Sequence, residues 1–241
     1  MILYLIPIGI ARVVNALLIF INACKHKKGY ACTKKRVPMT YPEFFNAVPT
    51  ITLQDPLSEF LSTFEDGYIQ FTYLDVVKSA GHSCPTVAGA YAMCYKALKA
   101  LYPNETPQRG SISVHFKEAA SEGTTGVMAN VITQITGASD EKGFKGMQGQ
   151  FRRHALLSFG NSALPTMIRF TRQDTNESVD LSYHPQHLPA KPEMMPLMQK
   201  LLSGSATKDE RSQFGALWQE RVAEILIKNF DNDTLIAVTK V

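Results

Sequence analysis

Apolar and polar residues alternate cleanly along residues 110–117, with Ile112, Val114 and Phe116 on one side and Ser111, Ser113 and His115 on the other. That period of two predicts a half-buried strand. The pattern changes character over residues 85–101, a run rich in Ala and Leu without internal proline, which predicts a helix. Pro85 suits its first position, where the missing N–H would have no intrahelical partner. Over residues 127–136 a second helix is expected, with Val127, Val131, Ile132 and Ile135 on one face and Gly137 as its stop. Thr207 and Glu210 form a capping box that opens a long amphipathic helix through Phe230. Leu217, Val222, Ile225, Leu226 and Phe230 are its expected core side.

Weaker signals fill the gaps. Asp55 and Pro56 predict a helix start that runs to about Phe64 before Gly67, and residues 68–73 read as a short strand. Residues 74–80 carry one or two helical turns closed by Gly81, and residues 42–56 read as an irregular lead-in. Strands are expected over residues 152–159, 166–172 and 178–183, the last two joined by a turn at residues 174–177, with a final strand at 235–239. A short Met-rich helix covers residues 193–202. Strands and helices mix without regular alternation, so the expected class is α+β, a mixed or antiparallel sheet packed with helices. One core domain over residues 39–241 accounts for it.

Residues 1–38 read differently. The first 23 residues hold one charge, Arg12, and Lys25, Lys27, Lys28, Lys34, Lys35 and Arg36 follow closely. This extension fits a membrane anchor with a basic flank, a signal segment, or sequence upstream of a true start at Met39. The net charge of the whole chain is only +4, and this cluster supplies it, so no nucleic-acid partner is expected. Four cysteines, at 24, 32, 84 and 94, do not make a disulfide framework in 241 residues, which points to a reducing, cytoplasmic setting. A genuine anchor would make the chain membrane-attached.

The densest chemistry lies in the turn before the 85–101 helix, where His82 and Cys84 stand two residues apart. Cys84 falls at the N-cap, where free backbone N–H groups and the helix dipole favour a thiolate. Imidazole and sulfur together can hold a metal or form a nucleophile with its base. They can equally be a turn residue and a small cap. His115 on the polar side of its strand, and His184 with His187 beyond a strand end, are candidate further ligands or merely solvated histidines. Glu118 and Glu122 flank a small-residue loop, and residues 141–149 combine glycines and lysines without phosphate-loop spacing. Cys94 is expected to be inert core. No HExxH, Walker loop, GxSxG, CxxC or dinucleotide fingerprint occurs.

Gly81-His82-Ser83-Cys84-Pro85, followed by a small-residue helix with Gly89-Ala90-Tyr91, resembles the G-H-x-C-P-G signature of the FmdE family of formylmethanofuran dehydrogenase components. Ile135-Thr136-Gly137-Ala138-Ser139 resembles that family's L-T-G-C-T, and the Gly-Lys loop at residues 142–146 follows in the matching place. The likeness spans roughly residues 73–159. It implies an α+β core in which His82 and Cys84 bind a divalent metal, zinc first. The chain departs from the pattern at Ala80, where a further histidine is common, at Val127 and Asn130 for a C-x-x-D, and at Ala138 for a cysteine. It also lacks the cysteine-rich C-terminal zinc finger of many members.

The expected function is therefore a metal-binding domain with its His-x-Cys site at a helix N-terminus and His115, His184 and His187 as additional candidate ligands. The alternatives are a metal-free thiol enzyme with Cys84 as nucleophile and His82 as base, or a non-catalytic partner protein. The last would form a homodimer or dock an oxidoreductase partner through Met194, Met195 and Met198.

Overall fold

A computed structural model describes residues 39–241; the anchor, signal and start-site readings concern residues outside them. Residues Tyr41–Val241 make one unit built on two sheets. Among the described residues no helix is long and apolar enough to cross a membrane. The small sheet pairs β1 (Ile51–Gln54) antiparallel with β2 (Tyr68–Phe71), and the short helix α1 (Pro56–Phe60) lies between them in sequence. The expectation of an irregular lead-in here rests on Pro49 and Pro56, which bracket β1. Yet Ile51 and Leu53 are buried, and four residues suffice for a strand once a partner is present.

The large sheet has the order β4-β3-β5-β6-β7. It comprises β3 (Ile112–Phe116), β4 (Leu157–Ser158), β5 (Ile168–Arg172), β6 (Ser178–Tyr183) and β7 (Ile236–Lys240). All of its ladders are antiparallel except the parallel β3–β4 pair. The fold is α+β, as the mixed pattern indicates. The strand expected over residues 152–159 shrinks to the two residues of β4, because Arg153 and Ala155 are drawn into loop contacts with Phe144 and Asp140.

Helix α2 (Tyr73–Ala80) is closed by Gly81 at φ 76, and α3 (Pro85–Leu101) starts after a turn of three residues. α3 is the centre of the unit. Eleven of its seventeen residues are buried, and it packs against α4 (Thr125–Thr136), β6 and β7. A helix apolar on all sides belongs in a core. α4 buries Met128, Val131, Ile132 and Ile135, but Val127 is exposed, because in the first turn of the helix it borders surface cavities rather than a packed element. α5 (Met194–Leu202) and α6 (Lys208–Ala223) complete the unit. The Thr207–Glu210 capping box opens α6, and a π-type turn at Glu224–Lys228 carries Ile225 and Leu226 into the core. Of the three methionines expected to form a docking face, Met194 is buried, Met198 half-buried and Met195 exposed.

Candidate functional site

The turn between α2 and α3 is held from several directions. Gly81 takes the left-handed conformation that ends α2, and its N–H reaches the Val77 carbonyl. Cys84 is the extended N-cap of α3, and its Sγ accepts from Val87 N–H at 3.4 Å. Between them the Ser83 carbonyl accepts from Trp218 Nε1–H at 2.9 Å, which ties the turn to α6. Ser83 Oγ and Tyr73 OH share a bond of 2.9 Å, and the Pro85 carbonyl accepts from Tyr183 OH at 2.9 Å. Burial pushes the Tyr183 phenol up despite the opposing charge of Arg221, so it remains a donor at neutral pH. Each such bond contributes about 1 kcal/mol net, and together they hold the backbone that carries His82 and Cys84.

His82 is exposed, and its Nδ1 lies 3.0 Å from the Ala80 carbonyl. A carbonyl only accepts, so Nδ1 carries the proton, and in the neutral ring Nε2 keeps its lone pair free. Cys84 is half-buried and a free thiol. Both residues line one cavity of about 520 Å³. Met128, Met167, Tyr183 and Trp218 supply its apolar walls, while Thr86, Thr124 and Arg221 supply polar atoms. His82 also lines an adjoining space of about 440 Å³ between α2 and α4, beside Asn130 and Gln134. A larger cavity, about 590 Å³, lies between α4 and the loop that follows it; it has no histidine or cysteine among its lining residues, and the pairing of His82 with Cys84 is what singles out the smaller one.

The remaining candidate ligands lie elsewhere. His115 pairs across the sheet with Arg169 on β5 and Ser158 on β4, and Arg169 pairs in turn with Asp180 on β6. Residues in register share a face, so this row lies on the side of the sheet opposite Tyr183 and α3. Its Nδ1 is 2.6 Å from Ser158 Oγ, and burial together with the Arg169 charge holds the imidazole below its ordinary range. His184 and His187 have ring centroids 5.6 Å apart, and His187 Nδ1–H donates to the Thr234 carbonyl at 2.7 Å. Tyr183 and Pro185 beside them line the cavity, but neither histidine does. Among the described residues no group of three His, Cys, Asp or Glu side chains is placed to hold a metal. The two glutamates serve their own loop, Glu118 accepting from Thr125 Oγ1 at 3.0 Å and Glu122 from Ala119 N–H at 3.4 Å. Cys94 is fully buried, and burial pushes its thiol up.

The donor set at this wall is one thiol and one imidazole whose Nδ1 is already tied to a carbonyl, where a catalytic zinc site takes three protein ligands and an open position. It does not fit a closed four-ligand structural centre. Sequence reasoning missed Trp218 and Arg221, which reach the cavity from α6. Their spacing of three residues puts both on one helix face, but nothing local in the chain says which turn that face meets. In comparison with known proteins, the chain matches no family model, and no curated protein is significantly similar to it.

Proposed function

We propose that this chain is a metal-binding α+β domain, similar to the FmdE family, in which His82 Nε2 and Cys84 Sγ hold a divalent transition metal, zinc first, beside a small-molecule cavity. The observation that carries the reading is that His82, its Nδ1 facing the Ala80 carbonyl, lines the same cavity wall as Cys84. Water or a bound molecule completes the coordination, as in catalytic zinc sites that keep an open position. Both described cysteines are free thiols, which supports a reducing, cytoplasmic setting.

The test is elemental analysis of the full chain beside the His82→Ala/Cys84→Ser variant. About one zinc, iron or nickel per chain, lost in the variant, is expected. A chain purified under conditions that spare labile metal and still carrying none contradicts the metal reading. A second reading then takes over, because the same cavity presents a thiol and an imidazole without a third ligand among the described residues. In it Cys84 is the nucleophile and His82 its base. Metal-free protein in which Cys84 reacts with iodoacetamide far faster than buried Cys94, and more slowly after His82→Ala, favours that reading.

A further inference from the structure

The cavity beside Cys84 has one charged group of fixed sign. Arg221 lies on its wall, and no aspartate or glutamate does. The guanidinium is held in place, with Nε–H donating to the Leu188 carbonyl at 3.0 Å and Nη2–H to the Pro185 carbonyl at 3.4 Å. Two of its five N–H donors are thereby used and three remain. The carboxylates nearest to it in α6 and the turn beyond are engaged elsewhere, Glu220 with Lys191 and Glu224 with Lys228. Arg221 makes no ion pair among the described residues. Thr86, in the first turn of α3, and Thr124 add hydroxyls that have no hydrogen-bond partner among the described residues. The other walls are Met128, Met167, Tyr183 and the indole of Trp218.

We propose that this cavity binds a small organic carboxylate, with the carboxylate on Arg221 and an apolar or aromatic body along Trp218 and the two methionines. The inference rests on the cavity being the functional site, and it names the substrate class that site takes. A planar guanidinium matches a carboxylate fork to fork, and an acid-free, largely apolar cavity disfavours organic cations and polyols alike. A volume of about 520 Å³ is of small-metabolite size. Bound in this way, the rest of the molecule lies along the wall that carries Cys84 and His82.

The chain has a single tryptophan, so Trp218 fluorescence reports directly on this cavity. The experiment titrates the full chain with 3-phenylpropionate, with the isosteric 3-phenylpropionamide, and with inorganic phosphate. The expected result is a saturable change in Trp218 emission with the acid, about tenfold or more weaker binding of the amide, and no comparable change with phosphate. Arg221→Gln removes the preference for acid over amide, and Arg221→Lys retains part of it. Equal binding of acid and amide overturns the proposal, as does tighter binding of phosphate or an emission unmoved by millimolar acid. The comparison of acid with amide needs no variant, so it stands even if Arg221→Gln does not fold. Repeating it on His82→Ala/Cys84→Ser separates the two readings. Loss of metal with retained acid preference supports both, whereas acid preference without metal in the wild-type chain leaves the carboxylate site standing and removes the metal.

Discussion

Gly89 shows how one missing methyl group positions the reactive turn. A Cβ at this place in α3 would meet the Tyr183 ring at 2.4 Å, and the same ring sends its hydroxyl to the Pro85 carbonyl. Alanine is the better helix former by about 1 kcal/mol, whereas overpacking a core costs about 1–3 kcal/mol. The ring is clamped at its far end by the hydrogen bond, so overpacking wins. Gly89→Ala is expected to lower the thermal midpoint and to loosen the turn that carries Cys84. A variant as stable as the wild type would contradict this packing. The place of Cys84 as the N-cap of α3 was legible from the Pro85 helix start alone. The proton on His82 Nδ1 was not, because it depends on where the Ala80 carbonyl ends up.

At the scale of elements, the strongest local signals have local causes. Asp55 caps α1 by accepting from Leu57 and Ser58 N–H, and Thr207 and Glu210 cap α6 reciprocally. Asp55 also does what no local pattern announces. It forms ion pairs with Arg109 at 2.9 Å and Arg153 at 2.5 Å, while Arg109 donates to the Ile135 and Gln134 carbonyls at the end of α4. One carboxylate thus joins the small sheet to α4. Burial alone would raise its carboxyl, but the Arg109 hydrogen bond and the charges of Arg153 and Arg109 hold it below the ordinary range. A lowered folded value stabilises fully above the unfolded value of about 3.9, and the contribution is lost as pH falls through the folded value. Asp55→Asn, which leaves Arg153 buried without its counter-charge, is expected to cost about 3–5 kcal/mol at neutral pH and to remove this part of the acid sensitivity. Urea unfolding at neutral and acidic pH measures both; wild-type stability in the variant at neutral pH would refute the role. Element ends were harder to read. The helix from Pro56 stops at Phe60 rather than near Phe64 because Ser62 turns to φ 53, and β1 exists only because β2 pairs with it.

In the whole molecule, α3 is the axis and its N-terminus the point of convergence. Helix α2 delivers His82, β6 delivers Tyr183, α4 delivers Met128, and α6 delivers Trp218 and Arg221, a segment more than a hundred residues downstream of Cys84. Such convergence has no periodicity, which is why the neighbouring His82 and Cys84 could be picked out in the chain and the residues around them could not. The α+β class was legible because it rests on many segments at once, each with its own hydrophobic pattern. The separation of His115 from the cavity was decided by sheet register, which brings it beside Arg169 on the far face.

The most direct measurement of the central claim is a cobalt(II) titration of the full metal-free chain, followed by absorption. Ligation by Cys84 and His82 predicts a sulfur-to-cobalt charge-transfer band in the near ultraviolet that saturates at one equivalent. The band should disappear in Cys84→Ser and require more cobalt in His82→Ala. A wild-type chain that develops no such band, or a band that survives Cys84→Ser, would contradict a metal site at this turn.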